Sequence, residues 1–91
     1  MIFDWDENKN LSNIKKHGFS FSVAEYVFAD PKAITFPDDR KNYGETRERT
    51  IGKVVDTIIV AIIHTNRAGI TRIISARRAN KKERSAYYGN N

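Results

Sequence analysis

Two histidines, His17 and His64, no cysteine, and sixteen lysines and arginines are the residues from which any chemistry in this 91-residue chain would have to come. Without cysteine there is no thiolate metal site, no thiol nucleophile and no disulfide, which fits a reducing cytoplasm. The histidines form no His-x-x-His pair, and Asp38-Asp39 stand where a turn would need such residues anyway, so no metal site is expected. The five glycines are scattered and make no phosphate loop, and no Gly-x-Ser-x-Gly elbow occurs. Hydride transfer, phosphoryl transfer from a nucleotide and serine hydrolysis are therefore disfavoured, and no cofactor is expected.

What remains is a cationic set suited to phosphodiester chemistry. RNA carries its own nucleophile, because the 2′-hydroxyl can attack the adjacent phosphorus. A protein then supplies a base for that hydroxyl, positive charge for the crowded phosphate oxygens and an acid for the departing 5′-oxygen. His17 is the natural acid or base, and Glu48 is an alternative base. Arg49, Arg72, Arg77 and Arg78 can each hold a phosphate through two parallel donors. Trp5 and the tyrosines are candidates for stacking on unpaired bases.

Each residue also has an ordinary structural use. His17 fits a helix end favoured by the dipole, His64 a satisfied histidine ending a buried strand, and Trp5 a core position beside Phe3. Lys81, Lys82 and Arg84 read as a solvated helix face. The adjacent guanidinia of Arg77 and Arg78 are harder to dismiss, because they repel each other without a partner anion.

The net charge of +5 is unevenly placed. Residues 1–48 hold seven Lys/Arg against nine Asp/Glu, whereas residues 49–91 hold nine against two. The basic half should attract polyanions, of which nucleic acid is the commonest in a cytoplasm, although a solubilising excess would look similar. At 40% hydrophobic and 30% charged residues, the composition is that of a globular domain, and the length predicts a single one over residues 1–91. The acidic N-terminus does not read as a signal peptide. The longest apolar run, Ile58 to Ile63, is far short of a membrane span, so neither secretion nor membrane insertion is expected.

Residues 2–5 read as a short opening strand. Asp6 caps a helix over residues 7–17, with Leu11 and Ile14 on its buried side and Gly18 as its stop. A second helix starts at Ser20 or Ser22 and ends near Phe28. In the Ser22 version, Ser22 and Glu25 form a capping box and Phe21 and Tyr26 a hydrophobic staple. Strands follow at 33–36, 49–55, 57–64 and 70–77, with a polar loop of turn formers (Asp38, Asp39, Asn42, Gly44) after the first. The later links are too short for crossover helices, which predicts antiparallel hairpins with the apolar third strand in the centre. Asn80 caps a basic helix from Lys81 to about Tyr88. The expected fold is α+β: two N-terminal helices, a four-stranded antiparallel sheet and a C-terminal helix. Strict alternation would put Arg72 and Arg78 on one sheet face and Arg77 on the other, unless a bulge intervenes.

Blocks along nearly the whole chain resemble the BrnT family of toxins from type II toxin–antitoxin systems. They are Trp5-Asp6-Glu7, Asn13-Ile14-Lys15-Lys16-His17-Gly18, Phe21 with Ala24 and Val27-Phe28-Ala29-Asp30, Glu48-Arg49 before Ile51-Gly52, Arg72-Ile73-Ile74-Ser75-Ala76-Arg77-Arg78-Ala79, and Glu83-Arg84 before Tyr87. The resemblance implies a compact RelE-like fold and a ribonuclease that stops translation. It also implies a BrnA-type antitoxin that neutralises the toxin and binds DNA as the complex. By position it puts His17, Arg49 and Arg77 in the active site, with Lys16, Arg72 and Arg78 as supporting positive charge. Lys81 and Lys82 join these as RNA-binding candidates, while Trp5 and Glu48 match motif positions without a separable role. An isologous dimer of the antitoxin would make the assembly 2:2. The alternative reading is a non-catalytic basic module that binds nucleic acid or docks a partner.

Overall fold

A computed structural model describes residues 1–38 and 44–89. The chain opens on β1 (Phe3–Trp5) and turns through Asp6, whose carboxylate accepts from the Lys9 N–H, into α1 (Glu7–His17). Gly18 ends that helix in the left-handed conformation, and its N–H closes on the Ile14 carbonyl. Next come α2 (Phe21–Ala24), a 3-10 turn over Glu25–Ala29, β2 (Ile34–Pro37), β3 (Glu48–Val55), β4 (Ile58–Arg67), β5 (Ile70–Arg78) and α3 (Lys81–Gly89).

The sheet has five strands in the order β1-β5-β4-β3-β2, and it is mixed rather than antiparallel throughout. The three hairpin-type pairings are antiparallel as expected, with β4 central. The correction is β1, which lies parallel to β5 with Phe3 opposite Thr71 and Trp5 opposite Ile73. Hairpin reasoning could not pair it, because its partner lies at the far end of the chain. Pro37, which has no N–H to donate, closes β2 on the other sheet edge.

Helices cover both faces of the sheet. α1, α2 and the 3-10 turn cover one, where Phe21, Val27, Val60, Ile62 and Ile73 are fully or almost fully buried. α3 partly covers the other, over Ile51, Ile59, Ala61 and its own Tyr87. Each large apolar side chain so buried contributes roughly 1.5–3 kcal/mol. Gly52 allows the 3-10 turn to approach β3, since a Cβ there would lie 2.9 Å from Val27 Cγ1.

The expected buried side of α1 fails because polar side chains do internal bonding that periodicity assigns to apolar ones, whereas α2 takes the first of its two expected starts. Leu11 and Ile14 are 57% and 40% exposed, whereas Asn10 and Asn13 face inward. Asn10 Oδ1 accepts from the Phe21 N–H, and Asn13 Oδ1 accepts from the Ala76 N–H of β5. The cap of α2 is Ser20, which accepts from the Val23 N–H, so the Ser22–Glu25 box does not form. The Phe21–Tyr26 staple fails with it, for Phe21 is buried core and Tyr26 is 62% exposed. Asn80 and Glu83 do make a reciprocal capping box at the start of α3. Asp39 and Asn42 of the expected loop lie outside the described residues. Among those residues, no helix is long and apolar enough to cross a membrane.

Candidate active site

β5 carries three of the four candidate arginines, and a bulge decides which way they point. Its pairing with β4 shifts register where Ile63 faces Ser75 but His64 faces Ile73, leaving Ile74 as an extra residue. Residues directly opposite in an antiparallel pair share a face. Arg72 lies opposite Thr65, Ser75 opposite Ile63 and Arg77 opposite Ala61, so all three join the face that α3 partly covers. On β3, Arg49 lies opposite Ile63 and joins them. Arg78, opposite Val60, falls on the other face at the strand end. The expected partition is thus corrected: the bulge groups Arg72 with Arg77 and separates Arg78.

Arg77 and Arg49 meet on Glu83. Arg77 grips the carboxylate through Nη1 to Oε1 at 2.6 Å and Nη2 to Oε2 at 2.9 Å. Arg49 Nη1 approaches Oε2 at 3.5 Å, and the Asn80 N–H donates to Oε1. Burial would raise the Glu83 carboxyl, but the Arg77 hydrogen bonds, the Asn80 N–H and the two guanidinium charges outweigh it and hold the group below its usual range. The Arg49 guanidinium also stands over the Phe36 ring, 5.6 Å from its centroid, and its buried Nε has no hydrogen-bond partner. Residue types alone single out the cations and pass over Glu83. Its signal was available in the Asn80-x-x-Glu83 capping box, which sends that carboxylate back toward the strand end where Arg77 stands.

His17 and Lys16 line a cleft between the basic flank of α1 and the edge of β5, together with Lys9, Ser12, Ile74 and Ser75. Ser75 connects this cleft to the arginines, since it shares a face with Arg77 two residues along the strand, a spacing of roughly 6–7 Å. Nothing in the sequence marked Ser75. Arg72 pairs with Asp4 of β1 at 3.3 Å. Lys81 and Lys82 are exposed in the first turn of α3, and Lys82 borders a hollow beside Arg49.

The remaining candidates lie elsewhere. Trp5 meets Phe21 edge-on at 6.0 Å and packs against the helix-side core. Glu48 lies opposite His64 on the face that α1 and α2 cover, away from Arg49. There His64 Nε2 lies 2.7 Å from Thr50 Oγ1, which is 2.8 Å from Thr35 Oγ1. Burial pushes the His64 imidazole below its usual range, against the opposing charge of Glu48.

The chain is thus a small five-stranded α+β domain that turns three arginines and a serine onto one partly open sheet face. A family model described as the ribonuclease toxin BrnT of type II toxin–antitoxin systems matches residues 5–83, and the chain belongs to that family. Among solved structures it is similar to the Brucella abortus ribonuclease toxin BrnT. That crystal structure is 31% identical, with 89% of this chain and 99% of that chain covered and a TM-score of 0.69. No curated protein matches the chain. Membership puts the chain among ribonuclease toxins, whose substrate is RNA and whose partner is an antitoxin.

Proposed function

We propose that the chain is a metal-independent endoribonuclease whose catalytic groups are His17, Arg49 and Arg77. The observation that carries this is the placement of Ser75: it lines the cleft of His17 and shares the face of Arg77. A phosphodiester lying across that stretch of β5 has a proton-transfer group on one side and guanidinium donors on the other. The 2′-oxygen attacks phosphorus, the P–O5′ bond breaks, and a 2′,3′-cyclic phosphate and a 5′-hydroxyl result. The 2′-hydroxyl gives up a proton and the departing 5′-oxygen takes one, His17 serving one of these transfers and water the other, while Arg77 and Arg49 stabilise the charge that builds on the equatorial oxygens. Lys16, Arg72, Lys81 and Lys82 guide the flanking strand, and Arg78 adds charge at the end of β5. Glu48, on the far face beside His64, has no part in the step.

The partner is a BrnA-type antitoxin in the cytoplasm, covering the cationic face with acidic or apolar segments, in a 2:2 assembly that alone contacts DNA. The second reading, a non-catalytic RNA-binding module, draws on one observation: Glu83 already neutralises Arg77. The test is cleavage of total RNA by the purified chain in EDTA, beside an Arg77→Ala control checked for folding. Cleavage by the native chain alone supports the nuclease. Salt-dependent binding without cleavage, with a log–log slope near −0.7 per contacted phosphate, refutes it in favour of the binding module.

A further inference from the structure

We propose that the hollow between β2, β3 and α3 is a base subsite selective for guanine, holding the nucleotide next to the scissile phosphate. This rests on the nuclease reading above. The hollow has a volume of about 260 Å³. That is below the roughly 300–1,000 Å³ of pockets for drug-sized ligands, and suits one flat ring system. Its walls include Phe36 and Ala86, with Arg49, Asn80, Lys82 and Glu83 as the polar groups. An aromatic ring beside a guanidinium plane is the surface on which splayed RNA bases stack. Arg49 and Glu83 belong both to this hollow and to the Arg77 cluster, so a base in it lies beside a phosphate held by Arg77.

The selectivity follows from which hydrogen-bonding groups are spent. Glu83 Oε1 accepts from Arg77 and the Asn80 N–H, and Oε2 accepts from Arg77 and faces Arg49. Asn80 Oδ1 accepts from the Glu83 N–H. Arg84 takes the nearby carbonyls, bonding to Asn80 through its N–H and to Ala79 through Nη1. Among the described residues, the donors that remain (Asn80 Nδ2, Lys82 Nζ and the Arg49 guanidinium) outnumber the acceptor capacity left, which is one lone pair each on Asn80 Oδ1 and on Glu83 Oε2 beside Arg49. Guanine presents N7 and O6 as adjacent acceptors. Adenine and cytosine set an amino donor against this surplus of donors, and the two uracil carbonyls are separated by an N3–H with the same difficulty.

The experiment maps cleavage sites in total RNA by sequencing the product ends, for the native chain and for Ala86→Leu and Asn80→Asp. The native chain should cut with about tenfold or greater enrichment of guanine at one position flanking the break, the factor expected from one well-made bidentate contact. Ala86→Leu fills the hollow from a helix position and should flatten that enrichment. Asn80→Asp keeps the Oδ1 cap but turns Nδ2 into an acceptor, and should move the preference toward adenine or cytosine. Cleavage without base preference in the native chain overturns the subsite and leaves the nuclease standing. Unchanged guanine enrichment in Ala86→Leu, with antitoxin neutralisation lost, assigns the hollow to the protein partner and also overturns the proposal. Binding of non-cleavable 2′-deoxy trinucleotides, followed through the Ala86 methyl resonance, separates the two readings. A guanine-dependent shift without any RNA cleavage upholds the subsite and removes the nuclease.

Discussion

The Arg77–Glu83 pair makes the simplest catalytic test ambiguous and supplies its own remedy. Arg77→Ala removes the guanidinium proposed to be catalytic, but it also strips two short hydrogen bonds from a carboxylate whose side chain is 5% exposed. Removing one partner of a fully buried pair costs about 3–5 kcal/mol. Here Arg77 is 31% exposed, and Glu83 keeps the Asn80 N–H and the Arg49 charge, so about 2 kcal/mol is the appropriate figure. A domain of this size has roughly 5–14 kcal/mol in total, so the variant stays folded at 25 °C, with its melting temperature lowered by about 8–16 °C. Adding Glu83→Gln removes the uncompensated charge while keeping an acceptor for the Asn80 N–H, and should recover about 1 kcal/mol. Cleavage should fall ~10²–10³-fold in the single variant and stay equally low in the double. Urea denaturation and initial cleavage rates, both at 25 °C, separate the two effects. If the double variant is folded and cleaves RNA at the native rate, Arg77 has no part in the chemistry.

Four further outcomes follow from the bonding and burial in the fold. His64 is held below its usual range in the fold, whereas in the unfolded chain it protonates near pH 6.5. Stability is therefore complete above that pH and is lost as pH falls below it, by up to about 1.4 kcal/mol per unit, and urea midpoints of His64→Gln should be flatter over the same window. The Tyr87 hydroxyl is pushed up to about 12 by burial and by donating to Asp30 at 2.6 Å. The native protein should lose stability as pH rises from about 10 toward 12, and Tyr87→Phe should remove that limb while costing about 1–2 kcal/mol at neutral pH by thermal melting. Asn13→Ala leaves the Ala76 N–H and the Phe19 carbonyl without their partner and should cost about 2–3 kcal/mol by urea titration. Leu11→Ser, at an exposed position on the same helix, should change stability by less than about 0.5 kcal/mol.

Local signals carried as far as the pattern they encode was local. Asp6, Gly18 and Asn80 act on backbone groups within one helical turn, and all three terminate helices where their side-chain or backbone chemistry says they must. The runs of β-branched residues mark β3, β4 and β5, because short links leave neighbouring strands no choice but to pair as hairpins. Pairing of β1 with β5 has no local marker: it joins residues nearly seventy positions apart and depends on how the helices between them pack. The buried face of α1 departs from the periodic pattern because Asn10 and Asn13 are inside for what their amides bond to across the fold, a purpose invisible to hydrophobic periodicity.

The candidate site shows the same division. Residue types alone make arginine-rich β5 a candidate for phosphate chemistry, yet which arginines share a face depends on one inserted residue. Without the bulge at Ile74, period-two alternation would have grouped Arg72 with Arg78 and left Arg77 alone on the opposite face. The bulge reverses this, and Asn13 stands beside it, bonding the Ala76 N–H from α1. The helix that carries His17 thus also holds the strand segment that presents Ser75 and Arg77. Loss of the Asn13 amide should therefore lower cleavage through misplacement of groups it never touches. Asn13→Asp, which keeps the acceptor for Ala76 but not the donor to Phe19, should recover the activity before it recovers the full stability. If Asn13→Ala weakens the fold but cleaves at the native rate while folded, the bulge does not depend on that bond, and the strand alone positions the arginines.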